Sequence, residues 1–190
     1  ANLRPTEPQL PERDLSVTTI RPLADVGFTD SINIGVKAAN VATLRTLDFP
    51  AEAIPDGFAI PFYFYDEFMQ HNNFYNDVER MLALPSFNDD ADERERVLEI
   101  MRDGIEDGDM PAWMMNALAE MQNSFPESLP IRLRSSTNNE DLPGFSGAGL
   151  YDSYTHRPSE GHIAKSVKQV FASLWNFRAF EEREFYKIDH

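Results

Sequence analysis

Apolar residues recur along much of the chain three or four positions apart, the spacing that places them on one face of a helix. The clearest case covers residues 163–174, which we interpret as a helix packed against a core. The same spacing predicts further helices over residues 36–47 and after Pro61, Asn88 and Pro111. The protein is therefore expected to be rich in helix.

Strands are predicted at four shorter stretches. Apolar and polar residues alternate over Ile131–Arg134, and β-branched residues dominate residues 16–20. Residues 58–60 follow a turn signal, and residues 149–155 follow a glycine-rich loop. Together with the helices, these stretches predict the α+β class, with a small mixed sheet flanked by several helices.

Charge narrows the possible partners. The chain has 32 acids against 17 lysines and arginines, a net charge of −15. Such a balance repels nucleic-acid phosphates and anionic membranes, so neither is an expected partner. Residues 88–120 hold 11 acids against three bases, whereas residues 131–190 hold eight of each. The negative charge is therefore concentrated in one predicted helical region.

The sequence lacks the features of disulfide-bonded, membrane-spanning and secreted proteins. It has no cysteine, which excludes disulfides and thiolate metal sites. No apolar run approaches the roughly 20 residues of a membrane-spanning helix, and no secretory leader is visible. A cytoplasmic location is the simplest expectation.

A polar, glycine-rich stretch is the first candidate for chemistry. Glycines let a backbone approach a ligand closely, and an arginine offers a fork suited to phosphate oxygens. We interpret the stretch as a candidate polyphosphate cradle; its candidate residues are Arg134, Ser135, Ser136, Thr137, Gly144, Gly147 and Gly149. The alternative is a surface hairpin whose arginines, Arg132 and Arg134, pair with Glu140 and Asp141.

Lys37 is the second candidate. It falls in the first turn of the helix predicted over residues 36–47, directly after Gly35 and Val36. A helix N-terminus already carries positive potential, so a lysine there is unfavourable unless an anion binds. A phosphate would provide that anion, whereas a solvated surface lysine is the alternative.

No metal ligands are expected in this chain. Asp89, Asp90 and Asp92 have a spacing that can hold Mg²⁺ or Ca²⁺, but the pattern of a calcium-binding loop is absent. Acids at the start of a helix also cap its amides and oppose its positive end. We therefore interpret the three aspartates as a solvated helix start.

Four motifs, taken in order, resemble one protein family, the N-terminal ATP-binding domain of pyruvate, phosphate dikinase and phosphoenolpyruvate synthase. The family elements are "GGKGANL", "VPpGFvv", "RSS…EDLP…FAGQ…T" and "vwaSLwn-RA-xYR". Their counterparts here are GVKAANVATL, IPDGFAI, RLRSSTNNEDLPGFSGAGLYDSY and VFASLWNFRAFEER. The motifs span residues 34–183, most of the chain.

The resemblance implies a partial ATP-grasp-like lobe. Residues 1–15 would be an irregular lead-in, and residues 16–190 the first lobe of the nucleotide domain, without the second lobe and downstream domains. ATP would contact Lys37 and Arg134, the two residues expected to act in catalysis. Residues 135–137 and the glycine loop 144–149 would cover the triphosphate, and Mg²⁺ would be held by the missing second lobe.

The resemblance also implies partners and an activity. In the family, a phosphoryl group passes from ATP to a histidine on a separate domain, so the second lobe and a phosphohistidine domain would be partners. One departure is that Val36 and Ala38 stand where the family has glycines, which crowds the approach to a phosphate. The alternative function is a non-catalytic regulatory or interaction module that docks a basic partner through its acidic helices.

Overall fold

The computed structural model describes residues 4–50, 53–139, 142, 145, 147 and 149–189. Within them the helices and strands are, in chain order, β1 (Arg21–Pro22), α1 (Ser31–Ile34), α2 (Val36–Leu44), β2 (Phe58–Ala59), α3 (Phe62–His71), α4 (Phe74–Leu82), α5 (Pro85–Asp89), α6 (Ala91–Asp107), α7 (Ala112–Asn123), β3 (Ile131–Arg134), β4 (Ser153–His156), α8 (Ala164–Ser173) and α9 (Phe177–Tyr186). The predicted α+β class is confirmed.

The main hydrophobic core lies among helices α3 to α9. Leu98 and Ile105 of α6 are buried, as are Leu118 of α7 and Ile163, which precedes α8. These positions are those that the apolar spacing assigned to the inner faces. The β3–β4 pair packs against α8, so the end of β3 is held at the margin of this core.

A second, smaller core supports α2. Ile34, Ala42 and Ala59 are buried with Leu23 and Val26, and together they join α1, α2 and the β1–β2 pair. This cluster fixes the direction of α2, whose first turn carries Lys37. The two candidate segments, the first turn of α2 with Lys37 and the polar stretch after β3, are therefore supported by different cores.

The sheets differ from the predicted arrangement. Among the described residues there are two separate antiparallel pairs, β1–β2 and β3–β4, where one small mixed sheet was predicted. The strand predicted over residues 16–20 is wrong, because this segment is irregular and the strand begins at Arg21. β-branched residues favour extended backbone, but a strand also needs a hydrogen-bonding neighbour.

The start of α6 is capped as the sequence predicts. The Asp90 carboxylate accepts hydrogen bonds from the amides of Asp92 and Glu93, at 2.9 and 3.2 Å. Such a cap satisfies helix amides that have no partner inside the helix.

We expect Asp90→Ala to lower the free energy of unfolding by about 1 kcal/mol, because it removes this cap. Chemical denaturation measures the loss. Asp89→Ala is the matched control, since it removes the same charge one residue earlier, and we expect it to change stability by less than about 0.5 kcal/mol. Equal losses in the two variants would contradict the assignment of the cap to Asp90.

None of the helices in the described part of the chain is both long enough and apolar enough to cross a membrane.

Candidate functional site

The first turn of α2 meets the hydroxyl segment, which we define as residues 135–137. The amide of Val36 donates to the carbonyl of Thr137 at 2.9 Å. The amide of Ala38 donates to Oγ of Ser136 at 2.9 Å, across 98 residues of sequence. The structure therefore brings together the two candidate segments that the sequence placed far apart.

Gly35 permits this close approach. Its backbone has φ +85° and ψ 157°, a conformation that side chains strongly disfavour. A Cβ atom at this position would lie 2.4 Å from the carbonyl carbon and oxygen of Ser136 and from its Oγ. The contact between the two segments thus requires glycine at position 35.

The Lys37 side chain points at the hydroxyl segment. Its ammonium donates to the carbonyl oxygen of Ser135 at 3.0 Å, and the side chain is half-buried. A positive charge therefore lies beside the N-terminus of α2, where the helix dipole adds to it. This combination attracts an anion.

Ser135 offers a polar atom with no partner. The residue is 4% exposed, and its hydroxyl oxygen makes no hydrogen bond to any described residue. Leaving a buried hydroxyl unsatisfied costs about 1–3 kcal/mol, so a bound molecule that hydrogen-bonds to it would be stabilised. Ser135 directly follows Arg134, and its own backbone carbonyl accepts the hydrogen bond from Lys37.

The Thr137 hydroxyl is directed into the protein. It donates to Oδ1 of Asn139 at 2.7 Å, and Nδ2 of Asn139 donates to the Tyr151 hydroxyl at 3.1 Å. All three side chains are buried. Sequence reasoning missed Asn139 and Tyr151; the only signal was a polar residue close to the serines, which a surface loop also shows.

Arg134 ends β3 on its exposed face. In the β3–β4 register it lies opposite Ser153, and no hydrogen bond or ion pair joins its guanidinium to another described residue. Arg132, on the same face, donates to the hydroxyl of Thr155 at 2.8 Å. The alternative pairing with Glu140 and Asp141 lies outside the described residues.

The glycines of the loop are only partly described. Gly144 lies outside the described residues. Gly147 is buried, and its carbonyl accepts from the amide of Leu150 at 3.2 Å. Gly149 is exposed with φ +77°, and a Cβ there would meet nothing within 4 Å. The two described glycines therefore form a turn at the end of the loop.

The arrangement favours a polyanion over a metal ion. Lys37 binds the Ser135 carbonyl beside the N-terminus of α2, and the exposed Arg134 directly precedes Ser135 in the chain. Amides of Val36 and Ala38 already bind the hydroxyl segment, so an anion would be held mainly by the side chains. Within the described ranges, no group of three or more His, Asp or Glu residues could hold a metal ion.

A known family of nucleotide-binding domains matches most of the chain. Residues 32–190 match the family described as pyruvate phosphate dikinase, AMP/ATP-binding domain. This range contains all four motifs and every candidate site residue, so the resemblance read from the sequence is confirmed. Residues 1–31 lie outside the matched range.

Individual relatives of the chain are phosphoenolpyruvate synthases, in agreement with the family match. The chain is 28% identical over 183 residues to phosphoenolpyruvate synthase of Aquifex aeolicus, covering 93% of this chain and 21% of that protein. It is 30% identical over 175 residues to a probable phosphoenolpyruvate synthase of Staphylothermus marinus, covering 88% and 20% respectively. The chain thus spans about a fifth of the length of the curated relatives it matches.

Proposed function

The chain belongs to the pyruvate phosphate dikinase AMP/ATP-binding domain family, and we propose that it binds the triphosphate of ATP as the first lobe of a nucleotide domain in a longer phosphotransferase. That phosphotransferase would resemble phosphoenolpyruvate synthase. The lobe would comprise residues 16–190, with residues 1–15 as its lead-in.

One observation carries the proposal. The Lys37 ammonium binds the Ser135 carbonyl, although the two residues are 98 positions apart, and the buried Ser135 hydroxyl has no hydrogen-bond partner among the described residues. Leaving a buried hydroxyl without a partner is unfavourable, and a lysine at a helix N-terminus adds to the positive potential there. A phosphate oxygen would accept from the hydroxyl and oppose that positive potential.

Each side chain has a distinct part in this proposal. The Lys37 ammonium would move from the Ser135 carbonyl to a phosphate oxygen, and the Ser135 hydroxyl would donate to the same group. The Arg134 guanidinium would bind two phosphate oxygens with parallel hydrogen bonds. Phosphoryl transfer depends mainly on such positioning and on stabilisation of negative charge.

Other components of the reaction would come from beyond these residues. We propose that Mg²⁺ and the adenine are held by a second lobe, and that a histidine on a further domain receives the phosphoryl group. Gly147 and Gly149 would belong to a flap over the triphosphate, with Ser136 and Thr137 fixing the base of that flap. The alternative of a purely regulatory module lacks comparable support, because the matched family is one of nucleotide-binding domains.

The proposal is tested by titrating the isotope-labelled chain with tripolyphosphate and with Mg-ATP while following backbone amide shifts. We expect saturable shifts centred on Val36, Lys37, Ala38 and Ser135, and we expect ATP and tripolyphosphate to compete. Adenosine is the matched control and should not shift these amides. Absence of saturable shifts with either phosphate compound at millimolar concentration would overturn the proposal.

Arg134→Ala should weaken tripolyphosphate binding without changing stability. The exposed guanidinium makes no hydrogen bond or ion pair to a described residue, so the change in stability should stay within about 0.5 kcal/mol. Loss of a hydrogen bond between charged groups should reduce affinity roughly 10- to 100-fold, measured by calorimetry.

Arg132→Ala is the matched control for this variant, since Arg132 lies on the same exposed face of β3 but binds Thr155. It should retain affinity to within a small factor. If both variants lost affinity equally, the loss would come from the lower positive charge of the surface. That outcome would contradict a specific role for Arg134.

A further inference from the structure

The lead-in of the chain contacts both halves of the phosphate site. The carbonyl of Glu12 accepts from Nδ2 of Asn138 at 2.5 Å. The amide of Asp14 donates to the carbonyl of Ile32 at 2.9 Å, and Nδ2 of Asn33 donates to the carbonyl of Asp14 at 3.0 Å. We call residues 12–14 the clamp segment.

These contacts flank the site closely. Ile32 and Asn33 belong to α1, which ends one residue before Gly35. Asn138 directly follows the hydroxyl segment, whose Thr137 carbonyl accepts from the amide of Val36. The clamp segment therefore links α1, which directly precedes Gly35, to Asn138, which directly follows the hydroxyl segment.

The clamp segment is itself held from two sides. Toward the N-terminus, Gln9 exchanges backbone hydrogen bonds with the chain after α9, to Lys187 at 2.7 Å and from Asp189 at 3.1 Å. Within the clamp, the Arg13 guanidinium lies 3.6 Å from the carboxylate of Asp66, which is 6% exposed. Arg13 is about half-exposed and this distance exceeds that of a hydrogen bond, so the pair adds a weak charged contact between the clamp and α3.

A tight local turn ends the clamp segment. The Asp14 carboxylate accepts from the amide and the hydroxyl of Ser16, at 2.8 and 2.9 Å. The Ser16 amide, followed by the side chains of Asn33 and Ser16, holds the pKa of Asp14 below its ordinary value of 3.8. The carboxylate is therefore charged at neutral pH, and these hydrogen bonds persist there.

We propose that residues 12–14 act as a positioning clamp that holds the first turn of α2 and the hydroxyl segment in the contact needed for phosphate binding. The need for this contact rests on the proposed function, whereas the mechanical role does not. Asn33 and Asn138 are its positioning residues. The clamp segment lies outside the matched range 32–190, so the family match does not account for it.

The clamp is needed because few hydrogen bonds hold the first turn of α2 against the hydroxyl segment. Without the clamp, the two segments are held by few hydrogen bonds, among them those donated by Val36 and Ala38. Local opening would then separate Lys37 from Ser135. Because only the closed arrangement binds with all its donors, affinity falls in proportion to the closed fraction.

The test uses Asn138→Ala, Asn33→Ala and the double variant, with Arg4→Ala as the matched control. Arg4 also belongs to the lead-in, but it contacts the carbonyl and ring of Phe185 in α9, away from the clamp. Two quantities are measured: hydrogen exchange of the Val36 and Ala38 amides, and affinity for tripolyphosphate.

We expect exchange of these two amides to accelerate in each clamp variant and by roughly 4- to 100-fold in the double variant, since each neutral hydrogen bond accounts for about 2- to 10-fold. Affinity follows the closed fraction whereas exchange follows the open fraction, so we expect the loss of affinity to be smaller than the acceleration of exchange. Exchange of core amides such as Ile105 and Leu118 should stay unchanged, as should both quantities in Arg4→Ala. Asn138→Ala changes a half-exposed side chain, so it retains the fold.

The outcomes separate this inference from the proposed function. Unchanged exchange at Val36 and Ala38 in the double variant would overturn the clamp, as would equal acceleration at the core amides. If the unaltered chain binds no tripolyphosphate but the double variant still shows faster exchange at these two amides, the clamp stands and the proposed function fails.

Discussion

Replacing Gly35 with alanine is expected to lower the free energy of unfolding by at least about 3 kcal/mol and to abolish tripolyphosphate binding. The backbone at φ +85° and ψ 157° is nearly exclusive to glycine, and a side chain there costs about 1–3 kcal/mol. The added Cβ would also overlap the backbone of Ser136 at 2.4 Å. Relief of that overlap requires the hydroxyl segment to leave α2, which breaks the bonds donated by Val36 and Ala38.

Gly161→Ala is the control that separates the two effects. Gly161 also has a positive φ, +78°, but a Cβ there would meet nothing within 4 Å. Its ψ is −129° against 157° for Gly35, but it carries a positive-φ penalty without the overlap, so the difference between the variants in chemical denaturation reports mainly the close contact. Equal stability of Gly35→Ala and Gly161→Ala would show that the contact between α2 and the hydroxyl segment contributes nothing.

Lys37→Ala is expected to reduce tripolyphosphate affinity by roughly 10- to 100-fold, the loss that accompanies removal of a hydrogen bond between charged groups. The side chain is half-buried and its charged ammonium binds a backbone carbonyl, so stability should fall by no more than about 3 kcal/mol. Lys37→Arg should recover part of the affinity because it keeps the charge but not the geometry. Calorimetry at two salt concentrations measures both the affinity and its electrostatic share.

The control for Lys37 is Lys165→Ala, which removes an exposed lysine from the first turn of α8. Both lysines lie near a helix start, but only Lys37 faces the hydroxyl segment. Lys165→Ala should leave affinity within a small factor of the unaltered chain. Unchanged affinity in Lys37→Ala would remove this residue from the proposed site.

The strongly acidic composition is compatible with phosphate binding because the charge is unevenly placed. The acids of residues 88–120 lie mostly on and around α6, where some are already paired, as Glu93 is with Arg96 at 2.7 Å. The proposed site draws on α2 and β3 instead. Surface charges beyond about 10 Å are screened at physiological salt, so the local cations decide which anion binds.

Local patterns determined much of the fold. The spacing of apolar residues predicted α2, α6 and α8, because a helix buries one face regardless of its neighbours. Alternation predicted β3 with its observed bounds. The strand expected over residues 16–20 failed because pairing depends on a partner elsewhere in the chain.

By itself, the sequence determined the family and the residue types of the candidate site: a lysine at a helix start, and an arginine followed by hydroxyl residues and glycines. Only the tertiary structure decided which groups meet. It placed the Lys37 ammonium on the Ser135 carbonyl, directed Thr137 toward Asn139 and laid the clamp segment across both halves of the site. The physical reason is that helices and strands arise from neighbouring residues, whereas the Lys37–Ser135 and Asn138–Glu12 contacts join positions 98 and 126 residues apart. Whether such distant positions meet depends on how the two separate cores pack.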